Sequence, residues 1–330
     1  MQFPKDLSEL LRPALPVMKF VPDEFDVEAA DIIRPHQEYD KPDAILAGIP
    51  FDSSVMIRPG CRFGPDGVRQ SLMFSTTYEY GLDVDLSEGL KIADIGNVDV
   101  VHTSVEETHR RVEALYTHLF STGAFVQTIG GDHGLAYPLV KAAVNANPGK
   151  KLGMISFDAH LDVRHSHHGE VSSGTPFRRV LNIDGSPVSG QNIVYIGINT
   201  WHNSAYYAKY VKEQGITVFT ARDIHRRGIY DVMDEAMEIV TKGVDGFYVT
   251  FDIDALDASV APGTCSPSQG GLSAAQGLEG VWQATKHPKC LGADVMEVAP
   301  PLDIANLTTM MGAALTMQML AGAQAQRKSR

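Results

Sequence analysis

The sequence contains little cysteine. Only three of its 330 residues are cysteine, and none of them belongs to a CxxC pair. They are Cys61, Cys265 and Cys290. A disulfide framework needs an even set of cysteines, and a zinc site built from thiolates needs closely spaced pairs. The shortage of cysteine therefore argues against both a disulfide-stabilised scaffold and a thiolate metal site.

Positive charge and long apolar runs are also scarce. The 28 Lys and Arg residues are outnumbered by 40 Asp and Glu residues, so the formal net charge is -12. Nucleic acids and anionic lipids attract basic surfaces, so we expect neither as a partner and favour a small molecule. No apolar run approaches the roughly 18 residues of a membrane span, and the first residues, MQFPKDLSEL, do not resemble a signal peptide. We therefore expect a cytoplasmic protein.

Short apolar segments alternate with longer segments of helical spacing along most of the chain. The strand-length segments are AILAGIP, GAFVQTIG, KLGMISFD, NIVYIGIN, ITVFT, GFYVTFDID and CLGADVMEV. This alternation predicts an α/β fold, a parallel sheet with helices on both faces. Residues 1–40 lack a sustained period and are interpreted as an N-terminal extension, lying on the body or on a neighbouring subunit. Residues 41–330 are interpreted as a single domain.

Three of the predicted strands end in polar side chains that folding alone does not require. The residues at these ends are Asp132, His133, Asp158, His160, Asp162, Asp252 and Asp254. Side chains two apart on an extended chain point the same way, so these strand ends could direct several carboxylates into one crevice. Ligands of parallel α/β sheets bind beyond the carboxyl ends of the strands.

A metal centre is the chemical explanation for so many adjacent carboxylates. Without a counter-charge they would repel, and at least one would take up a proton. Two divalent cations would relieve the repulsion and generate hydroxide from a shared water near neutral pH. Oxygen and imidazole donors without thiolate favour Mn²⁺, with Ni²⁺ second and Fe²⁺ or Co²⁺ still open. An isolated Asp at a strand end is usually a helix cap, which is the interpretation preferred for Asp132.

The strings GGDH, SFDAHLD and TFDIDALDASVAPGT, followed by DVMEVAP, resemble the signature blocks of the ureohydrolase family of arginases and agmatinases. The likeness extends from about residue 44 to residue 325. It implies a three-layer αβα sandwich with a central eight-stranded parallel sheet, assembled as a homotrimer or homohexamer. It also implies two divalent metal ions per chain, usually manganese, and hydrolysis of a C–N bond in a small cationic amidine or guanidine.

The resemblance also implies roles for individual residues. The ligands of one metal would be His133, Asp158, Asp162 and Asp252, and those of the other Asp158, His160, Asp252 and Asp254. The hydroxide between the metals would attack the amidine carbon. Glu297 would hold the planar N–H groups of the substrate, because a carboxylate can accept two parallel N–H bonds. The residues expected to act in the reaction are Asp254, Glu297 and His160, with Asp254 moving the proton of the hydroxide.

The substrate loop departs from arginases and agmatinases. Ser173 stands where those enzymes have a histidine, and serine is a poor general acid at neutral pH. The strings SSGTPF, NSAYYAKY and FDSSV resemble formimidoylglutamases instead, whose substrate is an amidine with two carboxylates. Arg178 or Arg179 could bind one carboxylate, although a surface helix start with ordinary salt bridges explains this pair equally well.

Other features keep further substrates and classes open. The string APGTCSPSQGGLS is closer to agmatinases and guanidino-acid hydrolases, and Asn199 stands where many relatives have Arg. Free guanidine or an alkylguanidine would also fit this mixed profile. The loop histidines His165, His167 and His168 are either a solvated edge or a group that transfers protons or gates the substrate. A one-zinc deacetylase and a non-catalytic regulatory subunit are the rivals from other classes.

Overall fold

The computed structural model describes residues 1–20, 23–165 and 171–329. Its strands are β1 Leu11–Arg12, β2 Ile33–Pro35, β3 Ala44–Gly48, β4 Tyr78–Glu79, β5 Val84–Asp85, β6 Ile92–Val98, β7 Phe125–Ile129, β8 Leu152–Phe157, β9 Val188–Ile198, β10 Thr217–Thr220, β11 Gly246–Asp252 and β12 Cys290–Met296. All except β4 and β5, which form a small antiparallel pair, belong to one central sheet.

Eight of these strands form the parallel body of the sheet, in the order β6-β3-β7-β12-β11-β8-β9-β10. Strands β7, β8 and β11 are buried along their whole length, which explains why their sequences are nearly continuous apolar runs. The prediction of an αβα sandwich with an eight-stranded parallel sheet is confirmed. One of the eight, β6, is absent from the segments that apolar patterning identified.

Helices cover both faces of this sheet. They are α1 Lys5–Ser8, α2 Ala29–Ile32, α3 Gly64–Ser71, α4 Val105–Ser121, α5 Ala136–Ala146, α6 Pro176–Leu181, α7 Ala205–Glu213, α8 Ala221–Arg227, α9 Ile229–Val240, α10 Ala274–Thr285 and α11 Leu307–Ser329. The 3₁₀ helices are His36–Glu38, Cys61–Phe63, Leu72–Phe74, His133–Leu135, Thr200–His202, Ile253–Ala255 and Pro300–Leu302. None of the described helices combines the length and the apolar character that a membrane crossing requires.

The two apolar cores lie on opposite faces of the sheet because alternate side chains of each strand point to opposite sides. In β8, Leu152 and Met154 belong to the core shared with α4 and α5, whereas Ile155 and Phe157 belong to the core shared with α9, α10 and α11. A strand buried on both faces is held rigidly. The end of such a strand therefore fixes the position of the polar residues that follow it.

The N-terminal segment lies on the body of its own chain and lengthens one edge of the sheet. Strand β1 pairs antiparallel with β6, and β2 pairs parallel with it. Arg12 also forms an ion pair with Asp99, at 2.9 Å, just beyond the end of β6. These short pairings bring the sheet to ten strands among the described residues.

Candidate metal centre

The polar strand ends meet because their strands are neighbours. Strands β7, β12, β11 and β8 are adjacent in the sheet and parallel, so their carboxyl ends lie at one edge. His133 follows β7, Glu297 follows β12 and Asp158 follows β8, while Asp252 is the last residue of β11. The residues predicted from sequence are thus brought together by the order of the strands.

Two glycines before His133 allow the loops to approach this closely. A Cβ atom on Gly131 would lie 1.7 Å from the carbonyl oxygen of Phe51, and one on Gly130 would lie 1.8 Å from Sδ of Met296. Gly131 also accepts a hydrogen bond from the Glu297 N–H at 2.8 Å. The GGDH string therefore joins the ends of β7 and β12 to the loop after β3.

Three of the predicted ligands surround His133. Its Nδ1 lies 3.1 Å from Oδ2 of Asp158 and 3.3 Å from Oδ2 of both Asp162 and Asp252. His133 and Asp158 are fully buried, and Asp252 is almost so. His133, Asp158 and Asp252 each offer a ligand atom within a span of 4.8 Å, which is compact enough to hold a metal ion.

A second group lies beside the first and shares Asp158 with it. His160 Nδ1 is 3.0 Å from Oδ2 of Asp254 and 3.5 Å from Oδ1 of Asp158. The ligand atoms of Asp158, His160 and Asp254 also lie within 4.8 Å of one another. Two overlapping donor groups with a common carboxylate are the arrangement that two neighbouring cations require.

The pKa values of these side chains reflect a repulsion between carboxylates that a cation would relieve. Burial, together with the charge of Asp158, raises the pKa of Asp162 to about 6. Burial and the charge of Asp254 raise the pKa of Asp252 well above its usual range. Burial alone would lower the pKa of His160, but Asp254 and Asp158 outweigh it and raise that pKa to about 12. A divalent cation at this position would relieve the repulsion between the carboxylates.

The orientation of His133 fits a metal ligand. Thr250 Oγ1 donates a hydrogen bond to Asp294 Oδ1 at 2.7 Å. Because its proton is used there, Thr250 Oγ1 can only accept in its contact with His133 Nε2, at 2.9 Å. If Nε2 carries the proton of this hydrogen bond, Nδ1, which faces the three carboxylates, can bind a metal through its lone pair. A ligand histidine whose other nitrogen is hydrogen-bonded is the usual arrangement in metal centres.

Glu297 completes the centre. Its Oε1 accepts the His133 N–H at 2.8 Å, and its buried Oε2 makes no hydrogen bond within the described chain. Burial and the charge of Asp132 raise the pKa of Glu297 to about 8. Glu297 and Asp162 both have positive φ, 63° and 43°, which is strained for residues other than glycine. A buried carboxylate with a free oxygen is suited to a cationic N–H donor.

A sequence profile of the arginase family matches residues 42–322. The chain belongs to the arginase family. A formimidoylglutamase of Halalkalibacterium halodurans is 35% identical over 279 residues, which are 84% of this chain and 86% of that protein. A mitochondrial agmatinase of Gallus gallus is 33% identical over 279 residues, which are 84% of this chain and 80% of that protein.

Solved structures agree with this family assignment. The crystal structure of a formimidoylglutamase from Bacillus subtilis is similar with a TM-score of 0.86 and 29% identity, over 96% of this chain and 97% of that one. A formiminoglutamase from Trypanosoma cruzi, solved with Mn²⁺, is similar with a TM-score of 0.82 and 26% identity, over 90% of this chain and 98% of that one.

In this arginase-family chain, one cleft of about 110 Å³ opens onto both donor groups and Glu297. The residues that line it are Val55, Met56, Ile57, His160, Asp162, Arg164, Ser173, Gly174, His202, Asp252, Asp254, Cys265, Ser266 and Glu297. Ser173, predicted as a substrate contact, is part of its wall.

The other predicted substrate contacts are placed differently. The guanidinium of Arg178 stacks on Tyr210, 3.7 Å from the ring centre, and that of Arg179 stacks on Tyr137 at 3.6 Å. Neither arginine, nor Asn199, is among the described residues that line the cleft. Asn199 Nδ2 instead donates to the Gln269 carbonyl at 2.8 Å. The predicted contact His168, with His167, lies outside the described residues.

The structure also brings to the centre residues that the sequence pattern did not indicate. Thr250, buried inside β11, contacts the His133 ring, and Asp294, buried inside β12, accepts a hydrogen bond from Thr250. A threonine within a fully buried strand was an available signal, because a buried hydroxyl needs a partner. Arg164 and His202 line the cleft, and the His202 ring lies 5.2 Å from that of His160. Arg164 could have been found from its place two residues after Asp162.

Asp132 has the capping role that the sequence indicated. Its carboxylate accepts hydrogen bonds from Ser54 Oγ at 2.5 Å and from the Gly134 N–H at 3.1 Å. It lies at the start of the 3₁₀ helix that contains His133. Asp132 therefore fixes the turn that carries His133.

Proposed function

We propose that this protein is a formimidoylglutamase that hydrolyses N-formimidoylglutamate to glutamate and formamide with two Mn²⁺ ions. It is a metal-dependent hydrolase of linear amidines by family membership. The formimidoylglutamase assignment is supported by the similarity to such enzymes and by Ser173, which replaces the histidine of arginases and agmatinases.

The observation that carries the proposal is the pair of donor groups that share Asp158 and face the same cleft as Glu297. The proposed ligands are His133, Asp158, His160, Asp162, Asp252 and Asp254. Their oxygen and imidazole donors favour Mn²⁺, and Ni²⁺ is the alternative. When bound, such ions lower the pKa of water enough to provide a nucleophile near neutral pH.

The side chains of the cleft then have distinct tasks. Glu297 Oε2 binds the N–H groups of the amidinium and orients its carbon, while the His133 N–H holds Oε1 in place. The Ala159 N–H donates to Asp254 Oδ1 at 3.2 Å, which leaves Oδ2 to take a proton from the nucleophile. As the C–N bond breaks, the proton passes to the departing amino nitrogen.

A substrate screen of the purified protein tests this proposal. The Mn²⁺-loaded protein should release formamide from N-formimidoyl-L-glutamate and should act weakly on agmatine, guanidine and alkylguanidines. Chelation should abolish turnover, and Mn²⁺ or Ni²⁺ should restore it. Full activity in a rigorously metal-free sample, or inactivity on every amidine with both ions bound, would contradict the proposal.

Metal stoichiometry separates the proposal from the rivals of other classes. Two ions per chain are expected, whereas one tightly bound zinc would favour a deacetylase. Two bound ions without any turnover would favour a regulatory subunit. We also propose a homotrimer or homohexamer, which light scattering would distinguish from a monomer.

A guanidino-acid hydrolase is the second candidate. It is supported by the string APGTCSPSQGGLS, which forms part of the cleft through Cys265 and Ser266. Release of urea from 4-guanidinobutyrate, faster than release of formamide from N-formimidoylglutamate, would favour this candidate. Both substrates combine a planar C–N centre with at least one carboxylate.

A further inference from the structure

The side chains that line the cleft are mostly acidic, and one of them is basic. Its wall contains the carboxylates of Asp162, Asp252, Asp254 and Glu297. Among the described lining residues, Arg164 is the only Lys or Arg. A cation beside so many carboxylates would be expected to pair with one of them, as ion pairs favour the charged forms of both partners.

The side chain of Arg164 makes no such pair. No hydrogen bond or ion pair joins its guanidinium to any residue in the described part of the chain. Its group lies 5.5 Å from the ring centre of Tyr207, and its main-chain N–H donates to the Gly174 carbonyl at 2.8 Å. The guanidinium therefore keeps its donors available to a ligand in the cleft.

Gly174 makes room for this side chain. A Cβ atom at position 174 would lie 2.9 Å from Cδ and 3.3 Å from Nε of Arg164. Gly174 directly follows Ser173, the residue at which the substrate loop departs from arginases and agmatinases. The same loop that lacks the histidine thus accommodates the arginine.

The neighbouring arginines are already occupied. Arg178 donates from Nε to the Val163 carbonyl at 2.8 Å and stacks on Tyr210. Arg179 is 3.1 Å from His109 Nδ1 and stacks on Tyr137. Both would have to leave these contacts before they could bind a substrate in the cleft.

We propose that Arg164 is the specificity-determining residue that binds a carboxylate of the substrate, while Glu297 binds its amidinium. This inference rests on the proposed function. The planar guanidinium can form two parallel N–H bonds to one carboxylate, so it selects amidino acids over uncharged or purely cationic amidines. Both N-formimidoylglutamate and ω-guanidino acids carry the required group, whereas formamidine, guanidine and agmatine lack it.

The test compares Arg164→Gln and Arg164→Lys with the unaltered protein, all loaded with Mn²⁺. A charged hydrogen-bonded pair contributes enough that its loss should raise KM for N-formimidoylglutamate about tenfold to hundredfold. Turnover number should change little, and turnover of formamidine should be unaffected. The Lys variant should recover part of the loss. Lys150→Gln, which removes an exposed charge at the opposite edge of the sheet, is the matched control.

Calorimetry with L-glutamate supplies a readout that does not depend on turnover. Arg164→Gln should weaken glutamate binding by a similar factor, and Lys150→Gln should not. The inference would be overturned if Arg164→Gln lost activity equally on formamidine and on N-formimidoylglutamate, or if it bound glutamate as tightly as the unaltered protein. Absence of any amidine hydrolysis by the unaltered protein would instead overturn the proposed function, and the glutamate titration would still decide the role of Arg164.

Discussion

His133 is the most constrained side chain of the candidate centre. Its ring packs edge-on against Phe177, with centroids 5.2 Å apart, while Thr250 holds Nε2 and three carboxylates face Nδ1. Each of these contacts limits rotation of the ring. A proposed metal ligand that cannot rotate loses little conformational freedom when an ion binds.

The hydrogen bond from His133 to Thr250 yields a prediction for metal affinity. Thr250→Val keeps the shape of the side chain but removes the hydroxyl that fixes the ring. Loss of such a supporting partner typically weakens metal binding about 10- to 100-fold. The dissociation constant for Mn²⁺, measured by titration calorimetry, should rise by that factor.

Thr316→Val is a suitable control, because Thr316 is also buried but donates to a helix carbonyl in α11. Equal Mn²⁺ affinity in the Thr250→Val and unaltered proteins would show that the ring is held by its other contacts.

Positions whose signal is local can be predicted from the sequence, whereas positions that depend on side-chain direction cannot. Asp158 and His160 follow a strand directly, so their location was predictable from the pattern alone. The choice between Arg164 and Arg178 was not, because it depends on which tyrosine each guanidinium faces. Those tyrosines lie on α7, far along the chain.

Strand β6 illustrates the same limit at the level of an element. Asp94, Gly96 and Asn97 interrupt its apolar pattern, so the segment does not look like a buried strand. In the fold, the buried guanidinium of Arg69 binds both Asp94 and Asn97, at 3.0 and 2.9 Å. A partner 25 residues or more away compensates for the polar residues, and no local pattern reveals it.

Helix α11 is difficult to recognise in the sequence for a related reason. Small and apolar residues occur on most of its sides, so it lacks the one-sided spacing by which a surface helix is recognised. Leu315, Met319 and Leu320 pack into the core, while Gln324 donates to the carbonyls of Asp85 and Glu88. Residues from distant parts of the chain bury the helix on several sides, so its burial cannot be read from its own sequence.

The junction between β3, β7 and β12 is expected to be intolerant of a single methyl group. Gly131→Ala would place Cβ 1.7 Å from the Phe51 carbonyl oxygen, which is main chain and cannot rotate away. The displaced loops should lower the free energy of unfolding by about 1–3 kcal/mol. Chemical denaturation would measure this loss, and activity should fall because Glu297 is held by the Gly131 carbonyl.

Gly81→Ala is the matched control for this prediction. The nearest atom to its added methyl group is a carboxylate oxygen of Glu79 at 3.4 Å, on a flexible side chain. An equal loss of stability in both variants would refute the special role of Gly131.

The packing of α4 against α5 and α6 should make stability depend on pH. His109 of α4 is buried, and this burial, with the charge of Arg179, lowers its pKa from 6.5 to about 3. Between these two values the unfolded chain binds a proton that the folded chain does not, so acidification favours unfolding. Stability should therefore fall as the pH decreases from 6.5 toward 3.

His109→Gln removes the titrating group while offering an acceptor to Arg179. The urea midpoint of this variant, followed from pH 7.5 to pH 4, should decline less steeply than that of the unaltered protein. Parallel declines would show that other groups account for the acid sensitivity.

For the whole molecule, the proposed metal ions should act as a thermal stabiliser. The buried carboxylates repel one another in the absence of a cation, and ion binding to the folded state alone adds stability by mass action. Mn²⁺ at a thousandfold excess over its dissociation constant should raise the melting temperature by about 5–10 °C relative to chelated protein.

Differential scanning calorimetry with and without a chelator measures this difference. Asp158→Asn, which alters the carboxylate common to both donor groups, should remove most of the response to Mn²⁺. Identical melting temperatures for the chelated and Mn²⁺-loaded forms of the unaltered protein would contradict the prediction.

The division of the cleft wall has an evolutionary consequence. Met56 and Ile57 belong to the loop after β3, which contains none of the proposed metal ligands, although both residues face the same cavity. Mutations in this loop can reshape the substrate preference while the donor groups remain intact. Arg164 and Ser173 are different, since they share the loop after β8 with Asp158, His160 and Asp162. A lineage that changed its acid-binding preference would therefore accumulate substitutions first in the loop after β3, and only later at positions 164 and 173.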